Sequence, residues 1–323
     1  MKAKISEYMD INRIEFFVTH KCGGACKHCQ SGADINKNSS HQHVIAEHAV
    51  NAVEKLASVF DIKSVMTFGG EPLYYADVVS QIHKKAMDCG IKTRQVITSG
   101  YFTKSAEISK RVACSLFESG VNSMLISVDA LHQETIPIEP VYRFVADVIE
   151  AKIPNAFLYP AWVVSENHRN PYNDKTKKVL EQFADLPIPV ENNIIELTGS
   201  AARFLSDYYD EPSLSLSDPR LSEPCMGPAT VYSIGIDPNG DIVGCGGVIG
   251  NIYTEDILDI VSRYNPYENE CMVAIMNGGI AGQLEYAKKL GIDFDITKYY
   301  SVCWDACNSL TKCLSTTNKA SRV

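Results

Sequence analysis

Three cysteines within eight residues, Cys22, Cys26 and Cys29, follow directly on the apolar run Ile14 to Val18. The run reads as a buried strand, and Gly23-Gly24 as the tight loop that leaves it. The C-x3-C-x2-C spacing lets three thiolates converge on one soft metal centre. A closed tetrahedral site, or an ordinary iron–sulfur cluster, takes four protein ligands. His28 sits beside Cys29 in the chain and is poorly placed to be the fourth, and zinc loops usually join two cysteine pairs. A four-iron cluster held by this trio keeps one iron without a protein ligand, open to a small molecule.

Downstream, apolar residues at helical spacing run through 42–60, 76–89, 104–119, 140–151 and 174–184. Between them lie strand-like runs at 14–18, 64–68, 95–98, 123–129, 156–164 and 192–197. Such alternation implies a parallel sheet with helices outside it. The expected fold class is therefore α/β, a partial (β/α)6 TIM-like barrel over residues 1–205, two units short of a full barrel. In parallel sheets of this kind ligands gather at the carboxyl ends of the strands. The cysteine loop, Gly69-Gly70-Glu71-Pro72, Ser99-Gly100, Asp129 and Thr198-Gly199 all follow predicted strands.

A C-x3-C-x2-C loop with Gly-Gly-Glu-Pro one βα unit later resembles the radical S-adenosylmethionine (radical SAM) superfamily. The resemblance implies a [4Fe-4S] cluster on Cys22, Cys26 and Cys29, with SAM chelated to the open iron. It implies that one electron from the cluster cleaves SAM, and that the 5′-deoxyadenosyl radical takes a hydrogen atom from the substrate. It gives His28 to the adenine, and the backbone of Gly69, Gly70 and Pro72 with the Glu71 carboxylate to the methionine ammonium. Ser99 and Ser127 are implied beside the ribose or carboxylate, and Arg203 at the SAM carboxylate. The segment Asp129-Ala-Leu-His132 is similar to one in members with a second cluster, which makes Asp129 and His132 the catalytic candidates. The alternative for the polar residues is a helix cap or turn bond.

The last third, residues 206–323, is expected to form a separate small unit. A polar, proline-containing stretch over 206–224 reads as a linker. Val231 to Ile236, the turn Asp237-Pro-Asn-Gly240 and Asp241 to Cys245 read as a hairpin that brings Cys225 and Cys245 together. The C-x14-G-x4-C spacing resembles the opening of SPASM and twitch domains, and implies an auxiliary [4Fe-4S] cluster completed by Cys303 and Cys307. The same four thiolates could instead hold zinc. Cys271 and Cys313 are left without a role, and Cys89 and Cys114 are expected as small buried apolar residues.

The net charge of −9 and the lack of a basic stripe argue against nucleic acid, and no apolar run reaches the ~20 residues of a membrane span. Met1 to Glu7 contains no apolar leader core, so a cytoplasmic location is expected. The expected partners are a peptide or small-molecule substrate and an electron donor such as flavodoxin or ferredoxin. The resemblance favours modification of a ribosomal peptide by epimerisation, crosslinking or dehydrogenation. Dehydrogenation of a small molecule, or a non-catalytic metal-binding role, are the alternatives.

Overall fold

The structure, a computed structural model, describes residues 5–32, 35–36 and 41–320. In chain order it runs β1 (Met9–Phe17), α1 (Ala46–Val59), β2 (Ser64–Phe68), α2 (Ala76–Asp88), β3 (Thr93–Thr98), α3 (Ala106–Glu118) and β4 (Ser123–Ile126). Next come the single turn α4 (Ala130–Gln133), α5 (Ile138–Glu150), β5 (Ala156–Leu158), β6 (Ala161–Trp162), α6 (Pro171–Glu181), β7 (Asn193–Ile194) and α7 (Ser200–Phe204). The last third adds β8 (Val231–Ile236), β9 (Asp241–Gly244), β10 (Gly247–Asn251), α8 (Ile257–Arg263), α9 (Glu270–Lys289) and α10 (Asn308–Ala320).

The helices form because their apolar residues fall on one stripe. α1 buries Ala49, Ala52, Val53 and Leu56. α3 buries Ser109, Val112, Ala113 and Leu116, and α5 buries Val141, Phe144, Val145 and Val148. All three repeat the i, i+3, i+4, i+7 spacing of a helix face packed on a sheet. Side-chain caps set helix starts: at α3 the Ser105 hydroxyl accepts from Ile108 N at 3.3 Å, and at α6 Asn170 Oδ1 accepts from Asn173 N at 2.9 Å. Strands β1 to β5 are all parallel, as right-handed βαβ crossovers require. Ile14, Phe16, Val18, Val65, Val96 and Ile126 make the strand side of one continuous core.

Two features differ from the sequence expectation. The run 156–164 is not one strand: Pro160 lacks the N–H a ladder needs, and the strand splits there into β5 and β6. β6 pairs with β7 in a separate two-stranded sheet, and the bridge between Leu158 and Val190 carries the path across. The C-terminal hairpin, in turn, does not stand apart. The sheet order is β10-β9-β8-β1-β2-β3-β4-β5, with β8 parallel to β1 and the β8, β9 and β10 meander antiparallel. The far edge of the barrel is therefore covered by the last third of the chain, and Ile234, Ile236 and Ile242 join the main core.

A second, smaller core holds Leu214, Leu221, Cys271, Ile280, Leu310 and Leu314, so the 206–224 stretch packs rather than dangling. α9 breaks at Gly278-Gly279. Gly279 has φ +59°, and a Cβ there would lie 2.4 Å from Glu223 O and 2.5 Å from Leu221 O. Only glycine lets the 221–223 segment cross so closely. Cys89 is half-buried and Cys114 exposed, so neither is the small core residue expected of it. Among the described residues no helix is long and apolar enough to cross a membrane.

Candidate active site

The carboxyl ends of β1 to β4 and β7 surround a cavity of about 420 Å³, lined by Cys22, Cys26 and Cys29 on one side. That volume lies within the ~300–1,000 Å³ typical of small-molecule sites. The cysteine loop is strapped down by backbone bonds. Gly70 N donates to Thr19 O at 2.7 Å and Glu71 N to Lys21 O at 2.8 Å, which seats the loop after β2 against it. A Cβ on residue 70 would lie 2.3 Å from Lys21 O, so the Gly-Gly pair permits the approach. Asn36 clasps Cys22 from the other side, accepting from its N–H at 3.0 Å and donating to its carbonyl at 3.1 Å. Ser200 N, on α7, donates to Cys29 O at 3.0 Å.

The three thiols share one electrostatic neighbourhood. Burial pushes the Cys22 thiol up to about 11, and the charges of Glu71 and Cys29 add to it, while the Gly24 N–H opposes it. Cys26 is pushed higher by burial and by Asp129, Cys22 and Cys29. Thiolates that raise each other's pKa are within electrostatic reach, and a bound cation would reverse the effect. Zinc would bring such sulfurs roughly 3.8 Å apart, from Zn–S bonds of about 2.3 Å. Among the described residues, the only His, Cys, Asp or Glu group with ligand atoms all within 4.8 Å of one another is His28, Asp129 and His132. Three thiols lining one wall of a cavity fit an iron–sulfur cluster with one open corner.

Gly69, Gly70, Ser99, Ser127, His28 and His132 all line the cavity. Glu71 does not. Its carboxylate is fully buried and turned into the protein. Oε1 accepts from Leu73 N at 3.0 Å and Thr98 Oγ1 at 2.6 Å. Oε2 accepts from Ser99 N at 2.8 Å and Ser99 Oγ at 2.5 Å. Burial pushes its pKa up against the pull of the Ser99 and Thr98 bonds. Glu71 therefore ties the loop after β2 to the end of β3. Pro72 opens the 3-10 turn Pro72–Tyr75 that Glu71 caps. Arg203 is exposed on α7, with its guanidinium 4.9 Å from the Phe204 ring centroid, and is not among the residues that line the cavity.

Asp129 caps α4, accepting from Leu131 N and His132 N at 2.9 Å each. Its second oxygen takes the His132 Nδ1 proton at 2.7 Å and the Ala161 N–H at 3.0 Å. Burial opposes its ionisation, but His132 and these bonds hold it well below the usual carboxylate range. The His28 ring meets His132 edge-on at 4.6 Å. Burial, with His132 adding to it, lowers its pKa to about 4, which makes it a neutral surface at the cavity wall.

The C-terminal cysteines also converge. A Cβ on Gly227 would lie 2.7 Å from Cys245 Sγ and 3.4 Å from Cys225 Sγ. Burial and then the Cys225 charge raise both Cys245 and Cys303. Cys307 is pushed up to about 12 by burial and by Cys303, Cys245 and Cys225. Glu196 lines the cavity and adds its charge at Cys303. Asp305, between Cys303 and Cys307, accepts from Gly199 N at 3.5 Å, one residue before the Ser200 N–H that holds Cys29.

The family model described as the Radical SAM superfamily matches residues 16–199. The chain belongs to the radical SAM superfamily. Among curated relatives, the GTP 3′,8-cyclase of Moorella thermoacetica is 24% identical over 124 residues, 38% of this chain and 36% of that protein. A probable GTP 3′,8-cyclase of Metallosphaera sedula is 24% identical over 187 residues, 56% and 54% of the two chains. The chain thus spans about a third to a half of the length of these relatives. Among solved structures, a histidine-tagged anSMEcpe with bound AdoMet superposes with a TM-score of 0.52 at 11% identity, over 96% of both chains. This radical SAM enzyme would hold its SAM-binding [4Fe-4S] cluster on Cys22, Cys26 and Cys29. The cluster, when bound, supplies the electron that cleaves SAM to the hydrogen-abstracting 5′-deoxyadenosyl radical. The chain's own residues line that site.

Sequence reasoning missed much of the wall: Thr98, Tyr159, Asn193, Ile194 and Glu196. All but Asn193, which opens β7, follow or end a strand, so the strand-end rule that found Ser99 and Asp129 could have found them.

Proposed function

We propose that this radical SAM enzyme carries a second [4Fe-4S] cluster on Cys225, Cys245, Cys303 and Cys307, and that it oxidatively modifies a peptide held between the two centres. The observation that carries the reading is Glu196, which belongs at once to the cavity wall and to the surroundings of Cys303. A substrate in the cavity then has a SAM-binding centre on one side and an electron acceptor on the other, as a dehydrogenation or crosslink needs. Four converging thiols supply the ligand number that an iron–sulfur cluster takes at the second site.

Two features favour a peptide over a nucleoside triphosphate. Among the described residues, the cavity wall has no lysine or arginine to hold phosphates and does have Glu196. The edge of β7 is also open. Asn193 N and Ile195 N donate to Pro160 O and Trp162 O, so strand alternation turns the Ile194 N–H and C=O the other way. No described strand pairs there, and Ile194 is exposed at the cavity. An extended peptide adding to that edge would gain backbone bonds and lie across the opening. His132, with Nδ1 committed to Asp129, keeps Nε2 to take up the proton that leaves an oxidised substrate.

The test is anaerobic turnover with SAM and dithionite, with GTP or a panel of short synthetic peptides added. Peptides that raise 5′-deoxyadenosine formation and change mass by the loss of hydrogen support the reading. GTP consumption with 5′-deoxyadenosine release overturns it.

A further inference from the structure

Gln283 is fully buried in the second core, on the C-terminal half of α9. That core includes Ile280, Leu310 and Leu314. An amide in such surroundings costs several kcal/mol unless both ends are bonded, about 2–7 kcal/mol in transfer terms. Its Nε2 donates to Cys271 Sγ at 3.2 Å and to Thr311 Oγ1 at 3.2 Å. Its Oε1 accepts the Cys307 thiol proton at 3.8 Å. Thr311 also hydrogen-bonds Cys307. Every neighbour of this amide can both donate and accept.

That symmetry matters once Cys307 binds metal. A ligating sulfur has lost its proton, and a carbonyl oxygen facing it would be repelled. Turning the amide over places the NH2 toward the sulfur. Cys271 gives its thiol proton to the carbonyl, and Thr311 moves its single hydroxyl proton from Cys307 to the carbonyl, so the amide NH2 takes the place of the hydroxyl as donor to the sulfur. We infer that Gln283 is a positioning residue that donates a hydrogen bond to the Cys307 sulfur in the metal-loaded protein, with Thr311 and Cys271 anchoring its other end. This rests on the second-cluster reading above. It also gives Cys271 a role: it lies across the amide from Cys307 and serves as the partner of Gln283, not as a ligand. A donor on a ligating sulfur favours the reduced, more negative state and raises the reduction potential.

The experiment uses the full chain with Cys22, Cys26 and Cys29 replaced by Ala, so that only the C-terminal centre is loaded, and titrates it by EPR. Four irons per chain, about the content of one cluster, establish the centre. Gln283→Leu is expected to shift the reduced-to-oxidised ratio at a given potential about tenfold toward oxidised, a fall of about 59 mV for one electron. An unchanged potential at full iron content overturns the role of Gln283 alone. A parent protein without a cluster signal overturns the second-cluster reading and this inference together. Should the Leu variant fail to load, the parent grown with side-chain 15N-glutamine decides. A nitrogen hyperfine coupling to the reduced cluster supports the contact, and its absence refutes it.

Discussion

Replacing Glu71 by Gln tests how the Gly-Gly-Glu-Pro loop works. The two side chains have nearly the same shape, so the change is one of hydrogen-bond polarity. Each Glu71 oxygen accepts one backbone N–H, from Leu73 on Oε1 and Ser99 on Oε2, and one hydroxyl, from Thr98 and Ser99. The hydroxyls can rotate to accept, but the N–H groups cannot. An amide in either orientation therefore sets its NH2 against a backbone N–H. One buried N–H is left unpaired, at about 1–3 kcal/mol, and hydrogen bonds to a charged group, worth about 1.5–3 kcal/mol each, become neutral ones. The expected loss is about 2–4 kcal/mol, read by anaerobic urea unfolding of the reconstituted protein. SAM affinity should fall only as far as the loop loosens. A variant within ~0.5 kcal/mol of the parent in stability, but with SAM binding abolished, would refute the reasoning. It would return the carboxylate to the ligand.

Three further results are expected. His83 is fully buried, with Nε2 2.9 Å from Thr67 Oγ1, and burial, with Arg94 adding, lowers its pKa from 6.5 to about 3. Because the folded value is depressed, its contribution is complete above about pH 6.5 and falls below it as the unfolded chain takes up a proton the folded chain refuses. Between about pH 7 and 5 the loss is about 2 kcal/mol at roughly 1.36 kcal/mol per unit, and His83→Leu should remove that slope from urea midpoints; an equal slope in the variant contradicts it. Gly70→Ala should push the loops after β1 and β2 apart, since its Cβ meets Lys21 O at 2.3 Å. About 1–3 kcal/mol is lost with the two strapping bonds, and unchanged unfolding would contradict the fit. Arg203→Ala should leave both SAM binding and stability within ~0.5 kcal/mol of the parent, and a tenfold loss of SAM affinity would contradict its place on the surface.

Local signals reached far in this chain because helices on a parallel sheet advertise themselves. Val141, Phe144, Val145 and Val148 can be read as a buried stripe without any tertiary information. The cysteine loop was legible for the same reason: the spacing that binds the metal is contained in eight residues. What was lost depends on partners distant in sequence. Nothing local says that Ser233 will sit beside Arg13, so the hairpin looked like a separate unit instead of the strands that extend the sheet. The hydrogen bonds of Glu71 were not legible either, because a motif names a residue but not the direction of its side chain, which Ser99 decides from the next strand. Gln283 was invisible, since a buried amide and an exposed one look alike until Cys271, Cys307 and Thr311 are folded around it.

The central claim is that Cys22, Cys26 and Cys29 hold a cluster with one corner open to SAM. Its most direct test is ENDOR spectroscopy of the reduced, reconstituted protein with SAM labelled by 15N at the amino group and 17O at the carboxylate. The account predicts nitrogen and oxygen couplings to the cluster, lost in Cys26→Ala. A fully loaded cluster that shows neither coupling would contradict it.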